Sequence, residues 1–192
     1  WAFQAPEVNR NGDDYVSAME INNFMLSEGD LNNDGNINLR DALAGVNISP
    51  FMDGFDNDEN GFDDDLIGWD ASGTSGTADN DPFPKTGVQN GGEWAHGTHV
   101  AGILAAVTDN EIGMASSVFN GKILSVKCSL EKNNNGEDIH NPMLDNGYNG
   151  IAYAAKAGYY AGLRTIINCS WGGPGASPSE QTVINNAYNT YG

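Results

Sequence analysis

The chain has 192 residues, 39% of them hydrophobic, enough for one domain with a sizeable core. Its 26 acidic and 8 basic residues give a formal net charge of −18, which argues against nucleic acid as a partner. No run approaches the length of a membrane span and no basic-then-apolar leader opens the sequence, so no membrane partner is expected, and a targeting segment is expected to have been removed or to lie outside this stretch.

The acid is unevenly placed. Residues 1–70 carry 16 of the 26 carboxylates and 2 of the 8 basic residues. Such density repels itself unless cations sit among it, and the accompanying Asn and Gly give the composition of calcium loops. Residues 1–48 read as loops and short helices, including a helix over Ile21 to Ser27. Their strongest feature is Asp30-Leu31-Asn32-Asn33-Asp34-Gly35-Asn36-Ile37-Asn38-Leu39-Arg40-Asp41. Oxygen-bearing side chains fall at loop positions one, three, five, nine and twelve (Asp30, Asn32, Asp34, Asn38, Asp41), with Asn36 at seven. Glycine stands at six, for the sharp turn, and an apolar residue at eight. This is the EF-hand loop pattern with Asp in place of Glu at the end, and it is similar to the loops of dockerins. A hard cation needs six to eight oxygens on a chain that can wrap it, so Ca2+ is the expected ligand; the alternative is a solvated acidic turn. A weaker copy precedes it, with Asn9, Asn11, Asp13, Ser17 and Glu20 at the same positions but Asp14 in place of the turn glycine.

A second acidic stretch follows, Asp56-Asn57-Asp58-Glu59-Asn60-Gly61-Phe62-Asp63-Asp64-Asp65. Oxygens again stand at one, three and five and glycine at six, but position twelve is Ile67, so it is not a full EF-hand. Asp56, Asp58, Asn60, the backbone at Phe62, Asp64 and Asp65 are the expected ligands. Residues 71–92 are rich in Gly, Ser, Thr, Asp, Asn and Pro and read as a long surface loop.

From residue 93 the pattern becomes helix, strand, helix, strand, helix, which reads as parallel α/β. The helices are expected over His96 to Val107, Tyr148 to Gly162 and Ser179 to Tyr191, the strands over Ile123 to Leu130 and Thr165 to Ser170. Val100, Ala101, Ile103 and Leu104 would bury the first helix in the core, and His99 would be a packed or hydrogen-bonded histidine. Ser179 is the expected cap of the last helix, with Glu180 and Gln181 too early for a capping box.

The first of these helices opens with His96-Gly97-Thr98-His99-Val100-Ala101-Gly102, which resembles the histidine motif of subtilisin-like serine proteases (subtilases) at all seven positions. A serine hydroxyl is a weak nucleophile and needs an imidazole to take its proton and return it. The resemblance implies that His96 is that group; the alternative is a structural histidine at a helix start. Asn168-Cys169-Ser170-Trp171-Gly172 is similar to the family's Asn-x-Ser-[Leu/Trp]-Gly segment, which implies that Ser170, Trp171 and Gly172 line the groove for a polypeptide substrate. The 56–65 loop is similar to a calcium loop of secreted subtilases, and the turn Thr108 to Gly113 matches one that wraps another calcium through a side-chain amide at Asn110, though here it is one residue longer than the commonest form.

The resemblance covers about residues 49–192 and implies a subtilisin-like doubly wound parallel sheet, present only in part, with residues 1–48 as an N-terminal EF-hand/dockerin-like calcium-loop insertion. Gly73-Thr74-Ser75 copies the start of the family's nucleophile motif, but no apolar helix follows it and it precedes His96, against the chain order Asp, His, Ser. Asp70-Ala71-Ser72-Gly73 loosely matches the aspartate motif, on a strand too short and too close to a metal loop. Neither is taken as a triad member. The aspartate is therefore expected before residue 1 and the serine after residue 192, and those remaining segments of the protease are expected partners of this stretch. On its own the stretch is expected to be unstable and inactive, because the strand between the Ile123 and Thr165 strands is missing. Cys128 and Cys169 would flank that strand, so no disulfide is expected. The expectation is a secreted or cell-surface, calcium-stabilised serine endopeptidase. The rivals are a calcium-binding interaction module and a pseudo-protease without its nucleophile.

Overall fold

The structure, a computed structural model, describes Val8, Gly12 and residues 16–86, 94–119, 121–173, 175 and 177–192. In chain order the elements are α1 (Ala18–Glu28), a 3-10 turn (Leu39–Leu43), β1 (Gly68–Asp70), α2 (His96–Ala105), β2 (Ser125–Lys127), α3 (Gly147–Tyr160) and α4 (Pro178–Tyr191). β1 and β2 pair in parallel, with Trp69 opposite Val126. Parallel neighbours cannot be joined by a tight turn, and here α2 lies on the crossover between them.

The helices begin where side chains satisfy their free N–H groups. Ser17 caps α1 by accepting from the Glu20 N–H, and the Glu20 carboxylate accepts from the Ser17 N–H in return. Ser17 and Glu20 are thereby engaged in a cap; Asn9, Asn11 and Asp13 of the weaker loop copy lie outside the described residues. At α4 the sequence expectation is corrected. Ser177, not Ser179, is the cap, Pro178 takes the first helical position, and Glu180 then stands three residues on and completes a capping box.

One apolar cluster joins Val8, Ile21, Met25 and Ala42 to Phe51 and Met52, with Phe24, Leu43 and Leu66 packed on its rim. It takes members from both sides of residue 48. A second centre forms where α3 lies across the sheet and against α4. Gly147, Gly150, Tyr153, Ala154, Ala157 and Gly158 form the buried stripe of α3, at the three- and four-residue spacing of one helix face. Gly150 lets the helix sit on β2: a Cβ there would stand 2.6 Å from Cys128 Sγ. Tyr153 is fully buried between the Phe62 and Trp69 rings, at 4.8 and 5.9 Å between centroids.

Three expectations differ from what is observed. The strand over Ile123 to Leu130 is limited to Ser125–Lys127, and Ile123 is exposed. Thr165 to Ser170 forms no strand and lies open to solvent, with Ile166 91% exposed. A strand exists only through a partner, and among the described residues nothing pairs with this run or with the edge of β2 turned away from β1. For the same reason α2 buries none of its residues, and His99 is exposed rather than packed. Cys128 is half-buried, Cys169 is exposed, and both are free thiols.

Candidate active site

His96 opens α2. Its N-cap position is Ala95, which offers no side-chain acceptor, and residues 95–99 are all exposed. The imidazole therefore faces solvent at the open first turn, and it makes no hydrogen bond or ion pair with any described residue. The turn itself is held just upstream. Trp94 is buried, and its indole N–H donates to the carbonyl of Ile139 at 3.2 Å. At the other end of the helix the Ser117 and Val118 N–H groups donate to the Ile103 and Leu104 carbonyls, both at 3.0 Å.

Ser170 and Gly172 are exposed, and Ser170 Oγ accepts from the Asn168 amide at 2.8 Å. Trp171 pins this segment to the start of α3. Its ring meets Tyr148 edge-on at 5.6 Å and covers Gly147, where a Cβ would stand 2.9 Å from the indole. Among the described residues no hydrogen bond or ring contact joins His96 to Ser170, Trp171 or Gly172.

Asp70 ends β1 and is 1% exposed. Its carboxylate accepts from the Ser72 N–H and its Oδ2 pairs with Lys127 Nζ of β2 at 2.5 Å, as an ion pair without hydrogen-bond alignment. Burial pushes the Asp70 carboxyl above the usual carboxylate range, against the pull of Lys127. Lys127 also reaches Glu131 at 2.7 Å, and Lys85 joins Glu131 to Asp138. A buried lysine between two carboxylates is not among the sequence expectations; the one signal is that Lys127 is the sole charged residue in the run from Ile123 to Leu130. Asp70 is thereby paired across the sheet with Lys127.

The two acidic loops share one hydrogen-bond scheme. In the first, Asp30 accepts from the Asp34 and Gly35 N–H groups, Asn32 from the Asp34 N–H, and Asp34 from the Asn36 N–H. In the second, Asp56 accepts from Asn60 and Gly61, Asp58 from Asn60, and Asn60 from Phe62. Asn33 and Glu59, at position four, both have φ near +60°, and Gly35 and Gly61 follow at +88° and +93°. Asn38 caps the 3-10 turn, and the buried Asp41 carboxylate is turned onto the N–H groups of Leu31, Asn32 and Asn38. In the second loop the Asn60 amide donates to both Asp58 and Asp65. Burial raises the Asp65 carboxyl, Tyr153 and Asn60 pull it back, and the charges of Asp58 and Asp56 raise it further. The Asp64 carboxylate accepts from the Asp53 and Gly54 N–H groups. The Phe62 ring belongs to the Tyr153 cluster, which ties this loop to α3. Among the described residues no three His, Cys, Asp or Glu side chains are grouped as a metal site. The donor set is all oxygen, which is the chemistry a hard cation takes, and in the second loop the charges of Asp58 and Asp56 act on Asp65.

No helix among the described residues is long and apolar enough to cross a membrane. Thermitase of Thermoactinomyces vulgaris is 36% identical over 122 residues, which is 64% of this chain and 35% of thermitase. The thermophilic serine proteinase of Bacillus sp. (strain AK1) is 36% identical over 94 residues, 49% of this chain and 20% of that protein. An extracellular protease of Xanthomonas campestris is 32% identical over 99 residues, 48% of this chain and 16% of that protein. The chain thus spans about a third of the length of thermitase and less of the other two. No solved structure matches it significantly. Residues 44–191 match the sequence model of the Subtilase family. With that match over most of its length, on a parallel strand–helix–strand unit whose helix starts at His96, the chain belongs to the subtilase family.

Proposed function

We propose that this chain is part of a secreted, calcium-stabilised, subtilisin-like serine endopeptidase in which His96 is the proton-transfer group of an Asp-His-Ser triad. The observation that carries this reading is the exposed His96 at the first turn of α2, within a seven-residue motif of a family to which the chain belongs. On attack, the serine hydroxyl gives its proton to the imidazole, and the imidazole returns it to the leaving amine. An aspartate holds the imidazole in the correct tautomer. The aspartate comes from a segment before residue 1 and the serine from one after residue 192; the relatives that this chain matches are far longer than the stretch it covers. This chain by itself therefore hydrolyses nothing and is of low stability. The exposed backbone at Ser170 and Gly172 pairs with an extended polypeptide substrate, and the packed Trp171 ring keeps that edge in place.

Calcium is held by Asp30, Asn32, Asp34, Asn36, Asn38 and Asp41 in one loop and by Asp56, Asp58, Asn60, the Phe62 backbone, Asp64 and Asp65 in the other. When bound, the ion supplies charge neutralisation and a tether between loop ends. The shared hydrogen-bond scheme supports one ligand type for both loops. A secreted location agrees with the names of two relatives, the extracellular protease of Xanthomonas campestris and an extracellular basic protease of Dichelobacter nodosus.

The test is peptide hydrolysis by the complete polypeptide with and without His96→Ala, in calcium and in chelator. The expected result is loss of activity in the variant and a lower melting temperature in chelator. A His96→Ala variant that keeps its activity overturns the assignment.

A further inference from the structure

The geometry points to Trp94 as the positioning residue for His96: its buried indole, hydrogen-bonded to the Ile139 carbonyl, locks the mouth of α2 onto the hairpin formed by residues 131–139. This rests on the reading of His96 as the proton-transfer group. Among the described residues, the first turn of α2 has little else to hold it. There is no side-chain cap, and residues 95–99 are exposed. Trp94, two residues ahead of His96, is only 6% exposed, and its N–H reaches Ile139 at 3.2 Å. A buried indole N–H has to find an acceptor, so this bond selects one ring orientation and with it one path for the backbone leading into His96.

The acceptor is itself fixed. The Ile139 N–H returns to the Glu131 carbonyl at 2.8 Å, and Asn133 pairs with Glu137 at 2.9 Å. The Glu131 and Lys132 N–H groups both donate to the Thr74 carbonyl. Lys85 clamps Asp138 at 2.9 Å and approaches Glu131 at 3.9 Å. Glu131 holds Lys127, which holds Asp70 at the end of β1. The route from the buried sheet to the residue before Ala95 is therefore continuous. A displacement of about 1 Å at a proton-transfer group is enough to slow the chemistry about 100-fold.

The experiment compares Trp94→Phe, which keeps a ring and removes the donor, Lys85→Met, which loosens the hairpin, and the double variant, all in the complete polypeptide. The readouts are kcat and KM on a chromogenic peptide anilide and the NMR signal of the His96 ring, assigned with His96→Gln. Trp94→Phe is expected to lower kcat about tenfold or more with KM within about twofold. Lys85→Met is expected to act in the same direction by less, and the double variant to be no slower than Trp94→Phe, since both act through one route. An unchanged kcat in Trp94→Phe overturns the proposal, and so does a raised KM at constant kcat, which marks a substrate contact instead. If wild type hydrolyses nothing, or His96→Ala is as fast as wild type, it is the peptidase reading that has failed. The NMR signal then decides: a His96 resonance moved by Trp94→Phe but not by Ser177→Ala supports the positioning role, and an unmoved one overturns it. Should Trp94→Phe not fold, Lys85→Met decides by the same readouts.

Discussion

Replacing Lys127 with Met isolates the energetics of the buried charge network. The ammonium lies 2.5 Å from Asp70 and 2.7 Å from Glu131, and its side chain is 8% exposed against 1% for Asp70. Removing it leaves the Asp70 carboxylate buried without a cation, and breaking a buried pair in this way costs about 3–5 kcal/mol. For a domain of about 150–250 residues each kcal/mol moves the melting temperature by about 2–4 °C, so a fall of about 6–20 °C is expected at pH 7. The pH dependence gives the sharper check. Burial raises the Asp70 carboxyl above its ordinary 3.8 even with Lys127 present. A carboxyl raised on folding contributes stability that is fully present below 3.8 and is lost as pH rises through its folded value. Without Lys127 that folded value climbs further, so the deficit of the variant shrinks as pH falls from 7 to 5. Burial pulls the Lys127 pKa down, but Asp70 and Glu131 together leave it above its ordinary 10.5. Its own contribution is therefore present at any pH below 10.5 and is lost only above its folded value. Urea unfolding of the complete polypeptide, followed by circular dichroism at pH 7 and 5, measures the deficit and its change with pH in wild type, Lys127→Met and Lys127→Met/Asp70→Asn. The double variant is expected to recover part of the loss, because no charge is left stranded. A single variant within about 1 kcal/mol of wild type, or a deficit that stays constant between the two pH values, refutes the reasoning.

Ser177→Ala removes the cap of α4 and is expected to cost about 1 kcal/mol in the same unfolding assay, with Ser179→Ala near neutral. Gly68→Ala is expected to cost at least about 2 kcal/mol, because φ there is +130° and a Cβ would stand 2.0 Å from the Ser125 carbonyl oxygen, so the β1–β2 pairing has to part. Burial pushes the Cys128 thiol up to about 11, with Asp70 adding to it, while Cys169 is exposed. Iodoacetamide at neutral pH is expected to label Cys169 first by mass spectrometry, and preferential labelling of Cys128 would contradict the packing of α3 on β2. Chelation is expected to lower the melting temperature of the complete polypeptide, and calcium at a hundredfold excess over its dissociation constant to restore about 2.7 kcal/mol per site. Asp30→Ala and Asp56→Ala are expected to reduce that gain separately.

The local patterns were legible in the residue order. The His96-to-Gly102 motif, the two acidic loops and the three helices after residue 93 all rest on neighbours within one or two turns of chain. For these the sequence already contains the physics: a glycine where φ must be positive, a carboxylate within reach of an N–H four or five residues away. Tertiary structure decided the rest. Thr165 to Ser170 has the composition of a strand, yet pairing needs a second chain segment beside it, and composition does not supply one. α2 is apolar enough to bury, but burial needs a surface to pack against. The cap of α4 is the exception, since Ser177 rather than Ser179 is chosen for a reason local to the chain: Pro178 takes the first helical position and Glu180 stands three residues after the cap. The bond from Trp94 to Ile139 and the chain Asp70–Lys127–Glu131–Lys85 join residues far apart in sequence, and their existence depends on distances that only the folded chain sets.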